Sequence, residues 1–278
     1  MIIHYINLDT ANTRRESICH NFAAVSNSDG AWTLSRFAAF GPEHEQVKKL
    51  TGSRSDTEKA CFLSHYSAVM QSFQDDDYHW IVEDDICFYE QSFNVVSTFI
   101  NEHQNDDWDI LFTDLTIRSY PMMVDLFRMR KNVPAGKFTY INIGTCPFCS
   151  AVSYIINPKQ KDKIASVLAF PEAINTTWDI FLADSIQAGK LTAYFTLPYA
   201  TSFSPIALAS QIRSSENDMP GVLGRAYRCL MRASPDIAMI NQLLNQMDND
   251  FVDERAATFG KIVSAFVADK FSKEPSKE

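Results

Sequence analysis

The order of apolar patterns predicts an α/β fold: a mostly parallel sheet flanked by helices, with a helical C-terminal appendage. Three observations carry that prediction. Short apolar runs rich in β-branched and aromatic residues alternate with stretches whose apolar residues recur at helical spacing. Acidic residues stand where two of the runs end, Asp9 after the first and Glu83-Asp84-Asp85 after another. In mostly parallel sheets, ligands bind beyond the carboxyl ends of the strands. Past about residue 220 strand-like runs stop and helical spacing takes over. The expected division is therefore residues 1–220 for the main domain and 221–278 for the appendage.

Each element has its own signal. Ile2 to Leu8 reads as a buried first strand, and Asn12 or Thr13 starts a helix through Ile18 and Phe22. Phe37 to Phe40 reads as a second strand, closed by Gly41-Pro42. Asp56 to Lys59 offers a helix start before Phe62, His65, Tyr66, Val69 and Met70, and Asp75-Asp76-Asp77 ends that helix. Trp80 to Val82 is the next strand, Ser92 to His103 a helix, and Trp108 to Thr113 a strand again. Arg118 to Phe138 mixes methionines and basic residues and reads as a loop over the site. Ala151 to Ile156 reads as a strand. Asn157-Pro158 fits a cap followed by proline at the first helical position. Thr176-Thr177 starts a helix, and Leu191 to Phe195 is a late strand. In the appendage Ser234-Pro235-Asp236 opens a helix with Ile237, Ile240, Leu243, Leu244 and Met247, and Phe251, Phe259, Ile262 and Phe266 continue in another.

Composition sets bounds. A chain of 278 residues that is 46% hydrophobic, with 20 Phe and 10 Tyr, can fill a sizeable core. A net charge of −9 excludes a nucleic-acid footprint over the whole surface. Six scattered cysteines include a lone Cys146-Pro147-Phe148-Cys149, read as a buried, reduced pair because no second pair completes a metal site. No run reaches membrane-spanning length and no leader pattern precedes the first strand, so the expected location is cytoplasmic.

The sharpest chemical signal is Ile81-Val82-Glu83-Asp84-Asp85. Clustered carboxylates at the end of a buried strand repel and raise one another's pKa. A hard divalent cation relieves that repulsion and sits naturally between carboxylates and a diphosphate. Alternate strand residues share a face, so Glu83 and Asp85 are placed to act together. The competing reading is a solvated acidic turn.

Two further stretches complete a pattern. Ile6-Asn7-Leu8-Asp9 is followed by Arg14-Arg15, and Cys61-Phe62-Leu63-Ser64-His65 precedes the acids. In this order, with Trp108-Asp109-Ile110-Leu111 and Asp179-Ile180-Phe181-Leu182, the chain resembles glycosyltransferase family 25, the bacterial lipooligosaccharide galactosyltransferase group. The resemblance covers roughly residues 1–215. It implies a GT-A-like, Rossmann-type fold and transfer of a hexose from a UDP-sugar, UDP-galactose foremost, to a sugar of a lipid-borne glycan. It also implies a Mn²⁺ or Mg²⁺ ion, with Glu83 and Asp85 as its ligands. Asp84, Asn7, Asp9, Arg14, Arg15, Ser64 and His65 then contact the donor nucleotide.

Several of these residues keep a second reading. Arg14 and Arg15 either fork a phosphate or face solvent. Asp9 either accepts from the nucleoside or caps the first helix. Ser64 lacks a nucleophile-elbow setting, and a lone histidine on a helix is commonly a satisfied core residue. Inverting transfer needs a base for the acceptor hydroxyl, and Asp179 or Asp114 can serve. In the appendage, Arg225, Arg228 and Arg232 share one helical face, which either rests on an anionic membrane or is simply solvated.

Overall fold

The computed structural model describes residues 1–26, 31–204, 206, 219–235 and 237–245. Its elements run β1 (Ile2–Asn7), α1 (Asn12–Val25), β2 (Thr33–Ala38), α2 (Glu45–Lys48), α3 (Asp56–Gln71), β3 (His79–Glu83), β4 (Ile86–Phe88), α4 (Ser92–Glu102) and β5 (Ile110–Ile117). Then follow α5 (Tyr120–Asn132), β6 (Thr139–Asn142), β7 (Phe148–Ile156), α6 (Lys161–Val167), α7 (Trp178–Gln187), β8 (Ala193–Leu197), β9 (Thr201–Phe203), α8 (Met219–Leu230) and α9 (Ile237–Asn245).

Seven strands form one sheet in the order β2-β1-β3-β7-β5-β8-β6. β1 pairs parallel with β2 and β3, and β5 pairs parallel with β8; β7 and β6 run against their neighbours. Five strands therefore share a direction, so the sheet is mostly parallel, as predicted. The buried runs explain its stability. Trp80, Ile81 and Val82 of β3 are fully buried, as suits a strand covered on both faces.

Helices cover both sides of the sheet. One core cluster takes Phe62 and Val69 from α3, Met123 from α5, Ile164 from α6 and Leu182 from α7. The other takes Ile18 from α1 and Val96 and Phe99 from α4. The first cluster also contains Leu223, Tyr227 and Leu230 of α8 and Ile240 and Leu243 of α9. The C-terminal helices thus complete the same core as the sheet.

Several local expectations shift. Residues 118–138 hold α5, not a bare loop: the Ser119 side chain accepts from Met122 N, and a proline stands in the first turn. β2 spans Thr33–Ala38, earlier than its apolar end suggested. The cap of α3 is Ser55, in a capping box with Glu58, while Asp56 occupies the first turn, where the helix dipole favours an acid. β4 and β9, a small antiparallel pair, were not foreseen. Leu244's side chain, Met247, Phe251, Phe259, Ile262, Phe266 and Asp236 lie outside the described structure. Neither Cys146 nor Cys149 is in a disulfide, and of the expected buried pair only Cys146 is buried, Cys149 being half-buried.

Candidate active site

The carboxyl ends of β1, β2 and β3 lie side by side and open into a pocket of about 290 Å³. Ile6 and Leu8 line it from β1 and its continuation, Ala39, Phe40 and Pro42 from the segment after β2, and Glu83, Asp84 and Asp85 from β3 and the turn that follows. Thr57, Ala60, Cys61, Ser64 and His65 of α3 form its wall, and Arg14 reaches in from α1. Three parallel strands ending together create this crevice, as the sheet topology demands.

The acids are held in a defined network. Asn7 donates through Nδ2 to Asp84 Oδ2 at 2.7 Å and to Ala11 O at 3.1 Å. Arg14 Nη1 bridges Asp84 Oδ1 and Asp85 Oδ2, each at 3.1 Å. Burial raises the Asp84 pKa above the usual carboxylate range, against the pull of Asn7 and Arg14. Burial, and next the Glu83 charge, push Asp85 up to about 7, so it binds its proton near neutrality. The charges of Arg14 and Arg228 do not offset burial and the neighbouring acids.

Glu83 faces the helix wall. Its Oε1 stands 3.4 Å from His65 Nε2, and His65 Nδ1 is 3.1 Å from Tyr154 Oη. Trp178 Nε1 donates to the same Tyr154 oxygen at 3.1 Å. Tyr154 Oη thus ties Trp178 to His65, which stands against Glu83 at the helix wall.

The other predicted residues divide. Arg14 enters the pocket, whereas Arg15 folds back onto Asn12 within α1. Asp9 is exposed and caps nothing; Arg36 Nη2 donates to it at 2.6 Å. Ser64 is buried, accepting from Phe40 N at 2.9 Å and donating to Ala60 O at 2.7 Å, so it fixes the segment after β2 rather than presenting a nucleophile. Asp179 is half-buried at the start of α7 and accepts from Thr177 Oγ1 and from Ser150 N, the latter at 2.8 Å. Ser150 has φ 73°, a left-handed conformation that is uncommon outside glycine. Asp179 does not line the pocket, though its charge, after burial and Glu83, helps to hold the pKa of the lining Cys61 thiol up. Asp114 is fully buried and forked by Arg228, whose Nε donates to Oδ1 at 2.8 Å and whose Nη2 donates to Oδ2.

Two expectations change here. Arg228 and Arg232 are buried and Arg225 is half-buried, so these three do not form an exposed basic face for a membrane. Asp114, on β5 and fully buried against Arg228 of α8, has no opening toward an acceptor hydroxyl. Arg36 was missed: its fork grips Asn7 Oδ1 at 3.0 Å and Asn7 O at 2.9 Å, holding the residue that orients Asp84. The apolar pattern had begun β2 only at Phe37, one residue too late to include it.

The donor chemistry of this site fits a hard cation. Glu83 and Asp85 offer carboxylate oxygens at one rim of the pocket, and a cation there would remove the like-charge penalty on Asp85. No group of three or more His, Cys, Asp and Glu converges as a closed cage among the described residues. Two protein carboxylates suit an ion that takes its other ligands from phosphate and water.

The crevice thus lies at the ends of parallel strands with clustered acids at its rim, the place where α/β sheets bind ligands. The chain belongs to glycosyltransferase family 25, the lipopolysaccharide biosynthesis proteins, whose family model matches residues 1–181. It is a glycosyltransferase. Among solved structures it is similar to the galactosyltransferase LgtC in complex with donor and acceptor sugar analogues, at 12% identity and TM-score 0.42 over 99% of this chain and 98% of that one. An active-site mutant of LgtC is similar at 12% identity and TM-score 0.41, again over 99% of this chain and 98% of that one. A nucleoside-diphosphate-sugar pyrophosphorylase from Vibrio cholerae RC9 follows at 11% identity and TM-score 0.34, over 77% of this chain and 81% of that chain. No curated protein matches the chain. No helix among the described residues is long and apolar enough to cross a membrane.

Proposed function

We propose that this glycosyltransferase moves a hexose, galactose in the first instance, from its UDP-sugar to a glycan acceptor of lipopolysaccharide or lipooligosaccharide, with inversion. One observation carries the reading: Asn7, Arg14, Glu83, Asp84 and Asp85 meet at the ends of β1 and β3, in a pocket walled by α3. Glu83 and Asp85 would hold a Mn²⁺ or Mg²⁺ ion. When bound, the ion neutralises the charge that develops on the departing diphosphate.

The protein's own residues do the rest. Asn7 and Arg14 hold Asp84 in one orientation for the donor ribose or sugar, and Arg36 holds Asn7. The Arg14 guanidinium stands beside the acids, where its charge favours a donor phosphate. The apolar wall from Ile6, Ala39 and Phe40 excludes water, which strengthens each polar contact. Asp179 is the base for the acceptor hydroxyl, being half-buried near Cys61 while Asp114 is locked to Arg228.

The test is transfer and UDP release from UDP-galactose and UDP-glucose, each with Mn²⁺ and with EDTA, with and without a truncated oligosaccharide acceptor. Metal-dependent, acceptor-dependent UDP-galactose turnover supports the proposal. Turnover unaffected by EDTA rejects the metal, and equal or faster use of UDP-glucose rejects galactose as the donor.

A further inference from the structure

Arg228 and Arg232 lie beyond the residues matched by the family, yet both reach toward the acids through a short strand. β9 pairs with β4 in the register Ile86 with Phe203, Cys87 with Ser202 and Phe88 with Thr201. The next residue, Ser204, donates its backbone N–H to Asp85 O at 2.7 Å. β9 therefore grips the chain from Asp85 to Phe88. α8 and the residues just after it grip β9 in turn. Arg232 Nη2 donates to Phe203 O at 3.0 Å. The guanidinium carbons of Arg228 and Arg232 stand 5.0 and 5.5 Å from the centre of the Phe203 ring. Such contacts are strongest when desolvated, and both arginines are buried. Arg228 is itself fixed by Asp114, and Arg130 of α5 donates through Nε to Arg232 O at 3.1 Å. Tyr199 N donates to Met231 O at 2.9 Å, which ties the segment before β9 to the end of α8.

We propose that Arg228 and Arg232 are positioning residues of the acid site, which clamp Phe203 so that β9 sets the Asp85 turn in its ligating geometry. The inference rests on Asp85 serving the donor diphosphate and its cation, as proposed above. A clamp of this kind touches neither substrate nor ion. It removes freedom from the backbone that carries the ligand, and partners behind a ligand typically govern affinity by about 10- to 100-fold.

The experiment measures UDP binding to the full chain by calorimetry, with EDTA and then with Mn²⁺, and records unfolding temperature for each protein. Arg232→Met and Phe203→Leu should leave UDP affinity in EDTA unchanged, because Asn7 and Arg14 are untouched. The gain in affinity that Mn²⁺ brings should fall by about 10- to 100-fold in both. Arg232→Lys keeps the charge without the fork and should recover only part of that gain. A loss of fold alone would weaken both binding modes together. Hydrogen exchange of the Ser204 amide should quicken in both clamp variants, which provides a reading if Arg232→Met folds poorly. An intact Mn²⁺ gain in Phe203→Leu, or an unchanged Ser204 amide, overturns the clamp. Asp85→Asn is the control: if it keeps the full Mn²⁺ gain, the underlying site reading fails, and the clamp's role falls with it.

Discussion

Asp85, just past one apolar strand of the sheet, and Asp114, within another, are the same residue type, yet their surroundings give them different work. Asp85 follows β3, keeps some exposure in a pocket, and shares the single Nη1 of Arg14 with Asp84. Its neighbours are acids, so burial and repulsion push its pKa to about 7. Asp114 sits within β5, is fully buried, and receives both arms of the Arg228 guanidinium. The first is an under-compensated charge facing a cavity; the second is a closed ion pair. A carboxylate becomes available for chemistry when its counter-charge is shared and a cavity leaves room for another cation. It becomes architecture when one partner satisfies both oxygens.

The contrast can be broken by substitution, and the largest expected effect is on stability at Asp114. Asp114→Asn leaves Arg228 buried without its counter-charge and should cost about 3–5 kcal/mol, seen in urea unfolding. Asp114→Leu with Arg228→Met should recover most of that loss. If Asp114→Asn instead unfolds normally while transfer disappears, Asp114 is the base.

At the other acid the effect should fall on turnover. Asp85→Asn should lower transfer on the order of a hundredfold to a thousandfold without loss of fold. Near-normal Mn²⁺-dependent turnover in that variant would reject Asp85 as a ligand. Asp179→Asn should slow single-turnover transfer by roughly a hundredfold, with UDP affinity nearly unchanged. An unchanged chemical step would remove Asp179 as the base, and a lowered unfolding temperature with normal chemistry would leave it only its contacts with Ser150 and Thr177.

A gentler probe is pH. The folded pKa of Asp85 lies above its unfolded value near 4, so the folded state favours the protonated form. That contribution to stability is complete below about pH 4 and is lost as pH rises through about 7. Metal-free protein should therefore lose unfolding temperature across this window, and Asp85→Asn should flatten the slope. A wild-type profile equal to that of the variant would contradict the shift. The smallest effect is expected at Arg15, which turns back to Asn12: Arg15→Gln should change the KM for the donor by less than about threefold, since an exposed contact of this kind is worth little. A large rise in KM would bring Arg15 back into the phosphate site.

Local chemistry in the sequence determined the strands and their acidic ends. β1 and β3 show as apolar runs because strands buried on both faces need apolar residues throughout, and Glu83 to Asp85 stand out because charge rarely interrupts such a run. Asn7, Arg14 and His65 were legible as candidates through ordered motifs, and the structure places Arg14 and His65 in the pocket lining and Asn7 on Asp84. The tertiary structure alone decided which charges meet. Nothing near Asp114 in the chain announces Arg228, 114 residues away, and helical spacing made Arg228 and Arg232 look like a surface face. Nor does Arg36 declare that it grips Asn7, which depends on β2 pairing with β1. Pattern reports how much of an element is buried, because hydrophobicity repeats with backbone geometry. Partnership between charges depends on the packing of distant segments, and no local period encodes it.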